Sequence, residues 1–180
     1  MFPLKNYVMS KAKTPGAFGC IRKYDIHTGV DIYTTEGAEV FAIEDGKVLK
    51  VDIFTGPKIG LGWWNETWAV MIEGESGVIN YGEIKPSCVI GQEIKAGDII
   101  GIVIPVLSPD KIRLDIHGHS CSMLHVELYR HGFKDFAIWD HEQPQPVGLL
   151  DPTELLVMHM DDVSVTNEEV NVERRHREVS

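Results

Sequence analysis

Apolar residues in this chain recur in short runs and at alternate positions, not at helical spacing. Leu124, Val126 and Leu128 alternate with Met123, His125 and Glu127, the period of two that sends successive side chains to opposite faces of a strand. Shorter apolar runs occupy residues 40–43, 46–51, 68–72, 78–81 and 98–104, with Glu44-Asp45-Gly46, Gly74-Glu-Ser-Gly77 and Ala96-Gly97-Asp98 as turn sequences between them. Many short strands with little helical periodicity predict an all-β sandwich or barrel. One short helix is expected over residues 152–158, with Asp151 as N-cap and Pro152 in its first turn. Residues 1–24, broken by Pro3, Pro15, Gly16 and Gly19, read as an irregular entry. The β domain spans 25–158, and residues 159–180 form a polar tail.

Composition narrows the functional classes. The 180 residues suffice for one domain with a sizeable core, and 43% hydrophobic with 24% charged residues is ordinary for a globular protein. A net charge of -10 disfavours nucleic acid and anionic membranes as partners, since both select a basic face. No apolar run approaches the ~20 residues of a membrane span, so no membrane insertion is expected. The first residues lack a basic stretch followed by an apolar one, so no signal peptide is expected. Cys20, Cys88 and Cys121 are too few and too scattered for a disulfide framework, which fits a reducing compartment. The expected location is cytoplasmic, or outside the cell by a non-standard route such as a phage particle or lysis.

Three distant segments carry the candidate chemistry: His27-Thr-Gly-Val-Asp31, Tyr81-Gly-Glu83 and Met123-Leu-His125-Val-Glu127. The first and third offer two imidazoles and a carboxylate, enough to hold a catalytic zinc with its fourth position open to water. Thr28-Gly29-Val30 is poor helix material, so His27 and Asp31 are placed where a loop enters a strand. His125, Glu127 and Met123 share one strand face. A polar face within an apolar strand calls for pairing or a metal. The bland alternatives stay open: a satisfied core histidine, a chance His-x-x-x-Asp, an exposed carboxylate at a strand end.

In order and spacing these segments resemble the lysostaphin/LytM-type zinc endopeptidases, which cut peptide cross-links in bacterial cell walls. The likeness covers about residues 25–155. His27-Thr-Gly-Val-Asp31 resembles the family's His-x-Gly-x-Asp element. Residues 39–48 are similar to the strand-turn-strand that follows it, and residues 89–101 to the hairpin before the last core strand. Tyr81-Gly-Glu83 stands where Tyr-Gly-His is usual, Met123-Leu-His125-Val-Glu127 where His-x-His-x-Glu is usual, and Leu150-Asp-Pro152 at the exit. The resemblance implies a lysostaphin-like two-sheet β-sandwich or barrel of the duplicated-hybrid-motif type. It also implies zinc as cofactor, His27, Asp31 and His125 as ligands, and a hydrolase that cleaves peptidoglycan peptides with metal-activated water. Glu83 and Met123 replace the two histidines that orient water and stabilise the tetrahedral intermediate.

The chemistry has a route around both replacements. A carboxylate serves as base in other zinc peptidases, so Glu83 is the candidate base. The Met123 thioether is apolar filling, and one missing oxyanion donor costs on the order of 100–1000-fold in rate. His117 or His119, just before the strand, could return an imidazole to the pocket; the alternative is that both are exposed. Cys121 as a fourth ligand would close the site, against the simpler reading of a buried thiol. Glu127 is expected to orient His125, and Tyr81 to pack beside the site. Trp63, Trp64 and Trp68 form either a substrate-groove wall or a satellite core. The competing functions are a catalytically impaired, metal-stabilised binding module and a phosphocarrier of related fold, which Asp31 argues against.

Overall fold

The computed structural model describes residues 1–62, 64–107 and 122–160. His117, His119, Cys121, Trp63 and all of the tail beyond Met160 lie outside the described residues. Among those described, the strands are β1 (Val8–Met9), β2 (Val30–Thr34), β3 (Glu39–Phe41), β4 (Gly46–Thr55), β5 (Thr67–Gly74), β6 (Gly77–Pro86), β7 (Glu93–Ile94), β8 (Ile99–Val103), β9 (Ser122–Tyr129) and β10 (Leu149–Leu150). One helix, α1 (Thr153–His159), follows them. Pro152 is its N-cap residue, one later than expected, and Asp151 before it accepts the Thr153 N–H at 2.8 Å. No helix of the described residues is long and apolar enough to cross a membrane.

The strands that the resemblance assigns to two sheets are hydrogen-bonded into one antiparallel network, because β6 belongs to both halves. Its first part pairs with β9, from Val78↔Tyr129 to Gly82↔His125. Its last part pairs on that same edge with β8, from Ile84↔Val103 to Pro86↔Gly101. Between the two lies a bulge against β5: Tyr81 faces Val70 and Ile84 faces Trp68, leaving Gly82 and Glu83 opposite Ala69 alone. Glu83 adopts φ 66°, in the left-handed region, a conformation typical of the extra residue in such a bulge. Its carbonyl accepts the Ile104 N–H at 3.2 Å.

The strand-turn-strand over residues 39–48 does not close on itself, and the hairpin expected over residues 89–101 is corrected. β3 pairs with β8 rather than with β4, which follows it. β7 pairs with β4, not with the β8 that comes five residues later. Asp45 explains the second case, because it holds the turn between them: its carboxylate takes the Ala96 N–H and Lys95 Nζ at 2.8 and 2.7 Å. The entry segment is also more structured than its breakers suggest. β1 pairs with β2, and Phe2 and Leu4 are buried in the main core.

That core gathers Val30 and Ile32 from β2, Val70 and Ile72 from β5, Ile79 and Ile84 from β6, and Leu124, Val126 and Leu128 from β9. Leu156 of α1 completes it. The period of two in β9 is thus resolved: even positions face this core and odd positions face away. A smaller cluster of Met71, Val78, Tyr129 and Leu149 lies apart from it, with Phe136 and Trp139 packed against it. Tyr81 belongs to the main core, where its hydroxyl accepts the buried Ile43 N–H at 2.9 Å. Tyr81 was expected to pack beside the site; its backbone adjoins Gly82, which faces His125, and its side chain packs in the core. Tyr81→Phe should leave that N–H unpaired and lower unfolding stability by about 1–3 kcal/mol. A denaturant melt measures this; an unchanged midpoint would show that the bond contributes nothing.

Candidate metal centre

The first and third segments meet because β2 and β9 are neighbours in register. Asp31 lies directly opposite His125, and Tyr33 opposite Met123. Gly82 flanks His125 on the other side, so Asp31, His125 and the Gly82–Glu83 bulge lie side by side. His27 arrives from the loop before β2. Gly29 permits the approach, since a Cβ there would lie 2.3 Å from the Val126 carbonyl and 2.8 Å from His125 Nε2. The glycine of the His-Thr-Gly-Val-Asp motif is therefore a steric requirement.

Three donor atoms converge. His27 Nε2 and His125 Nδ1 are 3.1 Å apart, and Asp31 Oδ1 lies 3.1 Å from the first and 2.9 Å from the second. Ligands bonded to zinc at 2.0–2.1 Å in a tetrahedron stand about 3.3 Å from one another, so the triangle is close to the size a zinc ion requires. The far side of each ring fits as well. His27 Nδ1 lies 3.0 Å from the Ala17 carbonyl. A carbonyl can only accept, so Nδ1 carries the proton and the neutral ring turns the Nε2 lone pair to the centre. His125 Nε2 has Glu127 Oε1 at 3.2 Å, close but without hydrogen-bond geometry. An acceptor behind each imidazole is the usual support of a metal-binding histidine.

The surroundings favour positive charge at this centre. Burial alone would raise Asp31, but the imidazoles beside it, His125 first and His27 second, reverse that and hold its carboxyl far below the usual range. Burial lowers His27 despite the Asp31 carboxylate beside it. Burial also opposes charge on His125, yet the hydrogen bond to Asp31 and the negative charge of Glu127 beside it outweigh it and lift that imidazole to about 10. Either a proton on His125 or a cation shared by the three donors meets this demand.

Glu83 is buried, and its Oε2 has no hydrogen-bond partner among the described residues. Burial first, and the charge of Asp31 second, push it up to about 8, with His125 opposing. The cluster whose donor atoms lie within 4.8 Å of one another comprises His27, Asp31 and His125, and Glu83 is not a member. Glu83 thus stands beside the donor triangle without forming part of it. Met123 is half-buried on the same face of β9, two cross-strand pairs beyond His125.

Several contributors have no signature in the sequence. Glu127 is 1% exposed and accepts the Asn80 amide at 2.7 Å and the Tyr129 hydroxyl at 2.8 Å. Tyr129 in turn accepts the Ala137 N–H at 3.0 Å. The β6–β9 register, which puts Asn80 opposite Glu127, is what could have revealed this pair. Phe54 lies over the site, its ring 5.4 Å from that of His125. A Cβ on Gly82 would strike that ring at 2.6 Å. Among the described residues, Phe54 is thus an aromatic neighbour of the candidate ligands. Trp64 is exposed on the loop bridged to Leu107, and Trp68 is half-buried in β5 between Ile53 and Ile84.

Known structures share this architecture. The catalytic domain of a mutant of the prophage-encoded M23 protein EnpA from Enterococcus faecalis aligns with 84% of this chain and 95% of its own, at 20% identity and a TM-score of 0.50. The catalytic domain of the antimicrobial peptidase lysostaphin from Staphylococcus simulans aligns over 84% and 92%, at 18% identity and a TM-score of 0.53. The cbpA protein of L. salivarius REN aligns over 84% and 89%, at 17% identity and a TM-score of 0.52. At such identities the likeness establishes the fold. No curated protein gives a significant sequence match. The model of peptidase family M23 matches residues 25–134, the span that contains His27, Asp31, Glu83 and His125, and the chain belongs to that family.

Proposed function

We propose that this chain is a zinc metallopeptidase that hydrolyses peptide bonds in peptidoglycan cross-links. The observation that carries the reading is the convergence of His27 Nε2, Asp31 Oδ1 and His125 Nδ1, with an acceptor behind each ring. Zinc held there would act as a Lewis acid on the scissile carbonyl and make water acidic enough to attack near neutral pH. Glu83, as the carboxylate that the positive charge of a bound zinc would favour, is the base: it takes a proton from the attacking water and passes it to the amide nitrogen as the C–N bond breaks. Its position beside the donor triangle suits a group that acts through water rather than on the metal. Phe54 packs against the His125 ring, and the Glu127 carboxylate stands behind it. The peptidoglycan substrate is supported by the sequence resemblance to wall-cutting endopeptidases and by the fold shared with lysostaphin.

One observation favours a second reading. Met123, on the site face of β9, offers no hydrogen bond to an oxyanion. A pocket that kept its ligands and lost catalysis would act as a metal-stabilised binding module.

Two measurements separate these readings. Dialysed protein should carry about one zinc per chain, and at free zinc 100-fold above Kd its stability should rise by about 2.7 kcal/mol. His125→Ala should abolish both effects; full occupancy in that variant would remove the site. Glu83→Gln should keep zinc and lower the release of fragments from purified peptidoglycan by about 100–10,000-fold. Met123→His should raise the wild-type rate by restoring a donor. If wild type binds zinc but neither it nor Met123→His releases fragments, the binding-module reading replaces the enzyme.

A further inference from the structure

The segment before β2, irregular in sequence, touches two of the three ligands at several points. Gly16 C=O accepts the Asp31 N–H at 2.8 Å, and the Ser10 N–H donates to the Asp31 carbonyl at 3.2 Å. Ala17 C=O holds His27 Nδ1. His27 N–H donates to the Cys20 carbonyl, and its carbonyl accepts the Gly19 N–H, both at 2.9 Å. Gly16 cannot carry a side chain, since a Cβ would lie 2.1 Å from Ser10 Oγ and 3.1 Å from Asp31 Cβ.

Arg22 is the side chain that closes this brace. Its Nη2 donates to Asp31 Oδ2 at 2.7 Å, and its Nε donates to the Pro15 carbonyl at 2.9 Å. Its backbone is fixed too: N–H to the Asp25 carbonyl at 2.8 Å, and C=O 2.9 Å from His141 Nε2. The two oxygens of Asp31 are thereby divided. Oδ1 faces both imidazoles, and Oδ2 is committed to a guanidinium whose side chain is only 26% exposed.

We propose that Arg22 is a positioning residue that makes Asp31 a one-oxygen ligand and so keeps the metal four-coordinate, with a single position left for water or substrate. The inference rests on the zinc reading above. A carboxylate free of Arg22 can rotate and offer both oxygens, which would expand the coordination and crowd the open position. A charged hydrogen bond of this kind is also strong enough to hold a side chain against such rotation.

Cobalt(II) tests the coordination directly, because its visible absorption is strong in a tetrahedral site and weak in a five- or six-coordinate one. Wild type, Arg22→Met and Arg22→Lys are each loaded with cobalt, and zinc affinity is measured by chelator competition. Circular dichroism confirms that each variant is folded. Wild type should give the intense tetrahedral spectrum. Arg22→Met should lose most of that intensity and bind zinc about 10–100-fold more weakly, as removal of a supporting contact typically does. Arg22→Lys, which keeps one donor, should recover part of both. If Arg22→Met matches wild type in spectrum, or binds zinc as tightly or more tightly, the positioning role is overturned while the zinc site stands. If Arg22→Met does not fold, Arg22→Lys decides: a wild-type spectrum and affinity support the role, and loss of both despite a retained donor refutes it. If wild type takes up neither metal, the zinc reading falls and this inference with it.

Discussion

The pairing of β2 with β9 is the constraint on which the site depends. It sets Asp31 against His125, and everything else at the centre is arranged around that pair. A strand alternates faces with a period of two, so a slip of one residue would turn His125 into the core and Leu124 out of it. The main core prevents the slip. Leu124, Val126 and Leu128 pack against Val30 and Ile32 on one side of the same two strands. The apolar face therefore fixes the register that the polar face uses. Stability and chemistry are carried by alternate residues of one segment.

Charge is the second constraint. Asp31, Glu83 and Glu127 are all buried, and buried carboxylates are costly unless paired or bound to a cation. Each meets this in a different way. Asp31 has two imidazoles and a guanidinium; Glu127 has Asn80, Tyr129 and the edge of His125. Glu83 has no partner for one oxygen. Groups with perturbed ionisation and an unmet hydrogen bond are where catalytic function concentrates, and this separates Glu83 from its two neighbours.

How much of this was legible in the sequence follows from the range of each interaction. The alternation in β9 is local, and it revealed both the strand and its two faces. The three residues whose donor atoms converge were legible because the motif spacings carry a family resemblance. Partnerships between distant strands were not. Nothing in residues 39–48 says that β3 will leave β4 for β8, since that choice depends on where β6 divides. Tyr81 was expected beside the site, near Glu83 in sequence, yet the bulge at Gly82–Glu83 breaks the alternation of β6 and leaves Tyr81 on the core face with Ile79, its hydroxyl on the Ile43 N–H. Arg22 was invisible because its contact with Asp31 depends on the path of an irregular loop, which has no periodicity to read. Phe54 was missed for a related reason: its partner at the site is the absence of a side chain at Gly82.

The bulge in β6 has a consequence for how the site was assembled. At φ 66° an ordinary side chain is strained by about 1–2 kcal/mol, and glycine would sit there at ease. Three strands meet around this residue and hold its backbone in place, so the Cα–Cβ bond leaves in a direction set by the sheet and not by the group it carries. Position 83 therefore behaves as a mounting point: the scaffold specifies where a functional group stands and leaves open what that group is. A carboxylate can be seated there as readily as an imidazole, and an exchange of reactive groups need not disturb the ligands one strand away.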